Sequence, residues 1–184
     1  VAPPSYAYLQ DRRNGATLAS IAGGHTLAMI EAVVGPFAEV SARMAILTPE
    51  VEIAGTGERI RRTCADHLLI HGRHAGGGVS NIEITGGANS PLVFELRGSK
   101  GTLFIEGHHP GGYQCGELSV HGSLEVEQQP LSPLAGLTGP AVNVGELWAC
   151  FESDIRSSTR SVPDFAVAVK LHSLLDAIER ASDE

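Results

Sequence analysis

The stretch Asn14–Gly35, which reads NGATLASIAGGHTLAMIEAVVG, decides the first layer of the fold. Its apolar residues recur every three or four positions, which predicts an amphipathic helix over residues 16–34. Gly35-Pro36 then ends the helix. Gly23 and Gly24 lie inside it, although each costs about 1 kcal/mol relative to alanine. We therefore expect a close approach to another element or a ligand at this pair.

After the helix, the hydrophobic period changes to two, which is typical of half-buried strands. Short runs of this kind between glycine-containing turns predict a meandering antiparallel sheet. The predicted strands are Phe37–Leu47, Asp66–Arg73, Val79–Thr85, Leu92–Leu96, Thr102–Glu106, Leu118–His121 and Leu124–Glu127. Residues 48–62 are polar and are expected to form a loop or a short excursion, and residues 128–140, which contain three prolines, are expected to form a loop.

The two ends of the chain differ in pattern. Val1–Leu9 contains two prolines and is expected to be extended, and Asp11–Gly15 is a predicted polar turn. Asn143 and Glu146 have the spacing of a capping box, which predicts a helix start there. Ser161–Asp164 opens a last helix. Its predicted apolar face consists of Val167, Leu171, Leu174, Leu175 and Ile178. The order of a helix, a large antiparallel sheet and closing helices predicts an α+β layer arrangement.

Composition and charge exclude several classes of protein. With 42% hydrophobic and 18% charged residues, the 184-residue chain is globular, and its length suits one ordinary domain or two very small ones. The net charge is −8, and only Lys100 and Lys170 are lysines among 13 basic residues that form no run. Nucleic-acid binding and anionic membrane surfaces need clustered positive charge, so neither is expected. No apolar run approaches the ~18 residues of a membrane span.

Three widely spaced cysteines, Cys64, Cys115 and Cys150, predict neither a disulfide framework nor a zinc site. They favour a reducing, cytoplasmic compartment. Each could be a nucleophile, but a small buried apolar group is the favoured interpretation.

Motifs for nucleotide phosphates, zinc proteases and serine hydrolases are absent from the sequence. His67, His71 and His74 have loose metal-ligand spacing. On a strand, however, His67 and His71 share one face while His74 points to the other. Exposed edge histidines are therefore favoured over a metal site. His108 and His109 are expected in a turn.

His25 is the candidate of greatest chemical interest, because it lies among small residues on the predicted helix. Imidazole exchanges protons most readily near neutral pH, so the residue suits general acid–base catalysis. A core histidine that donates to a carbonyl is the alternative interpretation.

Several segments of the sequence, taken together, resemble a known family of oxidoreductases. Asn14–Gly35, with its Gly-Gly-His-Thr-Leu, is similar to the helix that opens the C-terminal domain of the Gfo/Idh/MocA oxidoreductases, which include glucose–fructose oxidoreductase and inositol dehydrogenase. Further similar pieces follow in the family's order: Gly98–Leu103 within the hairpin Leu92–Ile105, Phe151–Ile155, and Pro163–Ser182. The Gly-Gly-His-Thr-Leu motif is most similar to the sugar-dehydrogenase branch of this family, which also contains a fungal galactose-regulon repressor.

The resemblance implies that residues 1–184 form a single C-terminal domain for substrate binding and oligomerisation. Its implied fold is α+β and dihydrodipicolinate-reductase-like, with a large, open, mostly antiparallel sheet and helices packed on one sheet face. The family's N-terminal Rossmann domain, which binds NAD or NADP and supplies an assisting lysine, is absent from this chain. His25 matches the family's proton-transferring histidine. Asn14, Arg13 and Thr26 are expected to contact a sugar or polyol, with Arg12 nearby, although solvated turn residues are an alternative for Arg12, Arg13 and Asn14.

Two departures bear on activity. Ile21 stands four residues before His25, where the family has aspartate, and Ala28 stands three residues after it, where relatives often have another. Without a carboxylate to orient it, His25 would be a weaker base.

The leading hypothesis is the C-terminal domain of an NAD(P)-dependent sugar or polyol oxidoreductase, inactive as this chain alone. The rival is a non-catalytic relative that senses a sugar or dinucleotide or serves as a scaffold. A third possibility is a ligand-free dimer formed through the sheet, and a homo-oligomer through a sheet face is expected in the leading hypothesis as well.

Overall fold

In a computed structural model, which describes residues 1–87, 91–109, 111–127, 134 and 136–183, the stretch after Thr17 is helical as predicted. It is π-helical over Ala19–Gly23 and α-helical over Gly24–Val34, which we call α1. The wide first turn is marked by a 2.9 Å hydrogen bond from the Gly23 N–H to the Leu18 carbonyl oxygen, five residues back. Gly35 ends α1 with a φ of +95°, which glycine adopts without strain.

The first of two compact units comprises Val1–Ala88 and Phe165–Glu184, and its centre is a three-stranded antiparallel sheet. The strands β1 (Phe37–Ala45), β4 (His67–His74) and β5 (Val79–Thr85) lie in the order β1-β4-β5. Alternation along β4 places Leu68 and Ile70, which are 1% and 0% exposed, on the core face.

Helix α3 (Phe165–Asp183) packs against β1 and α1 and completes this core. The Met44 N–H donates to the Ser182 hydroxyl at 2.8 Å, which fixes the end of the helix against the sheet. The predicted apolar face of α3 is confirmed for its second half, where Leu175 and Ile178 are buried. It is wrong for Val167, which is 48% exposed.

The close approach expected at the glycine pair is confirmed. A Cβ atom on Gly23 would lie 3.6 Å from Cδ2 of Leu68, and one on Gly24 would lie 3.8 Å from Cδ1 of Leu175. The helical segment therefore passes β4 on one side and α3 on the other with room for little more than a methyl group. Both glycines are buried, so the cost of keeping them is offset by packing.

One prediction for the first unit is wrong. Val1–Leu9 was expected to be extended, but Pro4–Gln10 is a 3₁₀-helix with proline in its first turn. Of the loop or short excursion predicted over residues 48–62, the structure has the excursion, because β2 (Glu50–Glu52) and β3 (Arg59–Arg61) form a short antiparallel hairpin there. Both segments are held by one small cluster, in which Ala2 forms a parallel bridge to Ile53 and packs beside Val51.

The second compact unit, Asn89–Asp164, contains a second three-stranded antiparallel sheet. Its strands are β6 (Leu92–Gly98), β7 (Gly101–Gly107) and β8 (Leu118–Gly122), in that order. The strand predicted over residues 124–127 is wrong, because these residues are irregular and exposed. Of the loop predicted over residues 128–140, Gln128–Pro133 and Ala135 lie outside the described residues.

Helix α2 (Pro140–Ser157) also belongs to this unit. It begins at Pro140, so the helix start predicted at Asn143–Glu146 is wrong. Proline suits the first turn of a helix because its missing N–H would have no partner there. Gly139 precedes it with a φ of +57°.

The α+β class and the antiparallel pairing are confirmed. Within the described residues, the strands form three hydrogen-bonded sheets rather than the single large sheet expected from the sequence. The assignment of residues 1–184 to one domain stays a prediction. No helix in the described part of the chain is both long and apolar enough to cross a bilayer.

Candidate functional site

The predicted catalytic residue, His25, is exposed on α1. The alternative of a core histidine is therefore wrong, while the catalytic role stays a prediction. Helical spacing brings Ile21, four residues earlier, and Ala28, three residues later, to the same side of the helix. Both are exposed, and Ile21 keeps 43% of its surface in solvent. The face around His25 therefore carries an aliphatic side chain and a methyl group at the two positions that the resemblance assigns to carboxylates.

Thr26 is half-buried beside His25. Its hydroxyl donates a 2.8 Å hydrogen bond to the Ala22 carbonyl oxygen, four residues back. Because that bond uses the hydroxyl proton within the helix, Thr26 retains only acceptor capacity for a ligand. Its expected role in substrate binding stays a prediction with this restriction.

Arg13 and Asn14 lie in the turn that precedes the helical segment, and both are exposed. The Arg13 guanidinium forms a two-point ion pair with Asp11, with Nη2 2.6 Å from Oδ2. The Arg13 side chain, by donating these bonds, lowers the pKa of Asp11 to about 2. The Asn14 amide donates to the Tyr8 carbonyl oxygen at 2.8 Å. Both side chains are thus engaged within the turn itself.

A network of polar groups holds this turn in place. The Thr63 hydroxyl accepts a 2.9 Å hydrogen bond from the Arg12 N–H, and the Thr63 N–H donates to the Gln10 carbonyl oxygen at 2.8 Å. Nε of Arg62 lies 2.8 Å from Oε1 of Gln10, and the same guanidinium pairs with the buried Asp66. The turn is therefore anchored to the segment between β3 and β4.

Asp66 is the ionised centre of that network. Its two carboxylate oxygens accept from the N–H groups of Leu47 and Thr48 at 2.7 and 3.1 Å. Burial alone would raise the pKa of Asp66, but these hydrogen bonds and the charge of Arg62 outweigh it and hold the pKa below its ordinary value.

Two cavities in the first unit adjoin this turn. An open hollow of about 460 Å³ is lined by Asp11, Arg12, Arg13 and Thr63. A more enclosed cavity of about 250 Å³, which we call the α3 cleft, lies between the turn and α3 and is lined by Arg12, Gly15, Thr17, Ser20, His172, Leu175, Asp176 and Glu179. The structure brings Arg12 and Arg13 together at the open hollow, whereas His25, Thr26 and Asn14 line neither cavity.

The α3 part of this cleft is not among the site residues predicted from the sequence. His172, Asp176 and Glu179 follow one another at intervals of one helical turn, beside the apolar stripe that contains Leu175. That polar stripe could have been recognised from the spacing of its residues. Its position beside Arg12 could not have been predicted, because it depends on how the two ends of the first unit pack against each other.

The interpretation of His67, His71 and His74 as edge residues is wrong, because all three lie on β4, the central strand of its sheet. The expected exposure holds for His71 and is wrong for His74. His74 is fully buried, and its ring packs against Phe37 with centroids 4.2 Å apart and the ring planes tilted by 36°. His67 is half-buried and pairs with Glu83 at 2.9 Å. Within the described residues, no group of three histidine, cysteine or acidic side chains could hold a metal ion.

The cysteines are free thiols in three different environments. Cys64 is buried, its thiol lies 3.0 Å from the Leu9 carbonyl oxygen, and burial raises its pKa. The buried apolar interpretation holds for Cys64, only partly for the half-buried Cys115, and is wrong for Cys150, which is exposed.

A dinucleotide site of the Rossmann type needs a glycine-rich turn between a parallel strand and a helix N-terminus. In the described residues, every strand pairing is antiparallel and the α-helices follow loops or the π-helical turn. These residues therefore do not fit the phosphates of NAD or NADP, and we derive no hydride step from this chain.

Comparison with known proteins agrees with this fold. The sequence model of the family described as Gal80p_C-like, the C-terminal domain of Gal80p, matches residues 1–107, more than half of the chain. The galactose/lactose metabolism regulatory protein GAL80 of Kluyveromyces lactis is 32% identical over 112 residues, which cover 54% of this chain and 24% of that protein.

Two solved structures share the fold. A super-repressor mutant of Gal80p from Saccharomyces cerevisiae matches with a TM-score of 0.80 and 22% identity over 98% of this chain and 51% of its own. Levoglucosan dehydrogenase, in complex with NADH and levoglucosan, matches with a TM-score of 0.59 and 20% identity over 88% of this chain and 47% of its own. The chain thus spans a quarter to a half of the length of these relatives.

Proposed function

The chain belongs to the Gal80p C-terminal-domain family, and from this premise we propose that it is the C-terminal domain of a non-catalytic regulatory protein that senses a sugar or a dinucleotide. The observation that carries the proposal is the composition of the helix face around His25. Ile21 and Ala28 offer no carboxylate there, and both are exposed.

The chemical argument concerns the strength of the base. A histidine that removes a hydroxyl proton becomes a cation, and a nearby carboxylate stabilises that cation and fixes the neutral tautomer beforehand. An exposed isoleucine at position 21 provides neither effect. The remaining expected site residues give no compensation, because Arg13 is paired with Asp11 and the Thr26 hydroxyl donates within its helix.

The galactose/lactose regulatory protein supports the same proposal, since its name gives it a regulatory role and 112 of its residues are aligned with this chain at 32% identity. For this chain, regulation of sugar metabolism through contacts with other proteins is part of the proposal. A cytoplasmic location and a small sugar or polyol as the sensed molecule are also part of it.

The second candidate is an NAD(P)-dependent oxidoreductase that acts on a hydroxyl of a sugar or polyol. Its specific support is that His25 is present and exposed on α1, together with the fold shared with a dehydrogenase solved with NADH and levoglucosan. In that case His25 accepts or relays the proton. A nicotinamide cofactor, when bound by another part of the protein, supplies the hydride acceptor.

A homo-oligomer through a sheet face is proposed for either function. On the face of the first sheet opposite the core, Arg73 pairs with Glu39 and His67 with Glu83, which makes that face polar. In the second sheet, one face gathers half-buried apolar side chains, including Phe94, Leu96 and Ile105. This apolar face is the stronger candidate. Sedimentation at micromolar concentration tests it, with a monomer as the contradicting result.

The deciding experiment is a turnover assay on the native polypeptide that contains these 184 residues. It is incubated with NAD and with NADP and a panel of sugars and polyols, and the absorbance of reduced nicotinamide is followed. We expect no sustained reduction with any substrate. Steady turnover that His25→Ala abolishes, and that the exposed-histidine control His71→Ala leaves unchanged, would establish the dehydrogenase instead.

A further inference from the structure

The α3 cleft concentrates ionisable side chains that the fold does not use. Arg12 enters from the turn, and His172, Asp176 and Glu179 enter from successive turns of α3. Among the described residues, none of these four side chains takes part in a hydrogen bond or ion pair, whereas most other arginines of the chain are paired with carboxylates or with Gln10. Their hydrogen-bonding capacity is therefore free for a ligand.

The opposite wall of the cleft is formed by residues that are held in place by hydrogen bonds. The Ser20 hydroxyl accepts from the Thr17 N–H at 2.8 Å and donates to the Gly15 carbonyl oxygen at 3.0 Å. Thr17 is 8% exposed and caps the helical segment through the Ser20 N–H at 3.2 Å. Leu175, 7% exposed, adds an apolar patch to the same cavity. A rigid polar wall, an apolar patch and free charged groups thus meet in one place.

The charges of Arg12, Asp176 and Glu179 together determine which class of ligand suits the α3 cleft. Two carboxylates beside Arg12 repel an anion, and the guanidinium repels a simple cation. A neutral polyol satisfies both, because each hydroxyl donates to a carboxylate while it accepts from a guanidinium. Leu175 suits the C–H face of a sugar ring. The volume of about 250 Å³ is below the ~300–1,000 Å³ of drug-sized sites, so it admits one small molecule.

We propose that the α3 cleft binds a neutral, hydroxyl-rich small molecule of the size of one monosaccharide or a short polyol. Asp176 and Glu179 accept its hydroxyl protons, and Arg12 donates to its oxygens. The inference names a ligand site for the proposed sensing function. The site is distinct from the surface around His25 and involves no bond-making step.

The test uses the full chain and a panel of one aldohexose, one aldopentose and one hexitol, with a permethylated hexose as the ligand that lacks hydroxyl donors. Binding is measured by calorimetry, and contact with the protein by saturation-transfer NMR and the imidazole resonances of His172. At least one of the three hydroxylated ligands is expected to bind and to shift the His172 resonances, and the permethylated hexose is expected not to bind.

Variants assign the site. Asp176→Asn, Glu179→Gln and Arg12→Gln are each expected to weaken binding at least about tenfold, because each removes hydrogen bonds to a charged group. Glu125→Gln, an exposed carboxylate in the other unit, is the matched control and is expected to leave the affinity unchanged. Unchanged circular dichroism excludes unfolding as the cause.

Three results would overturn the inference: no ligand of the panel binds, the bound ligand is indifferent to all three variants, or only an amine or an inorganic ion occupies the cleft. The turnover assay separates this inference from the proposed function. Sugar binding in the cleft together with nicotinamide reduction would leave the cleft standing and reject the non-catalytic proposal. If no ligand binds and no turnover is seen, the ligand site in the α3 cleft is rejected and the non-catalytic proposal stands.

Discussion

Nδ1 of His74 lies 2.7 Å from the carbonyl oxygen of Gly35, which ties the end of β4 to the end of α1. Since a carbonyl only accepts, Nδ1 carries the proton, and Nε2 at 2.6 Å accepts from the Ser80 hydroxyl. Both ring nitrogens of a fully buried imidazole are therefore satisfied.

We predict that His74→Leu destabilises the chain by about 2–4 kcal/mol, because it removes the partner of the half-buried Gly35 carbonyl and Ser80 hydroxyl and changes the packing on Phe37. Urea denaturation followed by circular dichroism measures the loss. The control is His71→Leu, an exposed position on the same strand, which is expected to change the free energy of unfolding by less than about 0.5 kcal/mol. Equal effects of the two substitutions would refute the anchoring role of His74.

Gly72 and Phe37 form the second contact at this end of the sheet. A Cβ atom on Gly72 would lie 2.4 Å from both Cδ1 and Cε1 of the Phe37 ring. Gly72→Ala is therefore predicted to cost about 1–3 kcal/mol through displacement of the ring. Gly76→Ala is the control, because a Cβ there meets nothing within 4 Å.

The double variant Gly72→Ala/Phe37→Leu tests the stated cause. If the ring is what the methyl group meets, the two losses measured by urea denaturation will be less than additive. Full additivity would show that Gly72→Ala acts through the backbone instead.

Hydrophobic periodicity was sufficient to predict those helices and strands whose own residues show a clear period. The strand Val79–Thr85 lies where it was predicted, and so does the last helix after Asp164. The helix around His25 was found as well, but its π-helical turn was not. The extra residue in that turn leaves no mark on the apolar spacing, and its Gly23 lies against Leu68 of β4.

Hydrophobic periodicity did not predict the structure of segments that are held in place by residues far away in the sequence. Strands β2 and β3 have three residues each, too few to show alternation, and they are held by Ala2 from the start of the chain. The buried state of His74 depends on Phe37 and Ser80, which a single strand pattern does not reveal. The α3 cleft likewise arises from two segments at opposite ends of the sequence.

Ser158 gives a prediction of increased stability. It follows α2 with a φ of +55°, in the left-handed region where a Cβ atom is unfavourable, and it is the one such non-glycine residue in the described part of the chain. Ser158→Gly is predicted to raise the free energy of unfolding by about 0.5–1 kcal/mol. Ser157→Gly, one residue earlier and inside the helix, is predicted to lower it by about 0.5 kcal/mol. The fluorescence of Trp148, the single tryptophan, reports both transitions. Two changes of the same sign would contradict the conformational argument.

Asp154 gives the prediction on pH. Its carboxylate accepts from the Val162 N–H at 3.0 Å, the Thr159 hydroxyl at 2.7 Å and the Ser161 N–H at 2.7 Å, which folds the segment after α2 back onto the helix. These hydrogen bonds, that from Val162 first, lower the pKa of Asp154 to about 2. An ordinary aspartate in the unfolded chain titrates near 3.9. The stabilisation is therefore complete above about pH 4 and is lost as the pH falls from there through about 2.

Asp154→Asn is accordingly predicted to lower the midpoint of thermal unfolding of the second unit at pH 7. It should also reduce the dependence of that midpoint on pH between about 4 and 2. Trp148 fluorescence follows the transition, and Glu125→Gln, which removes an exposed carboxylate in the same unit, is the control. Asp11 and Asp66, whose pKa values are also lowered, lie in the first unit and keep their own acid dependence in both variants. If Asp154→Asn retains the full acid-induced loss seen by Trp148, the carboxylate of Asp154 is not what stabilises the segment after α2.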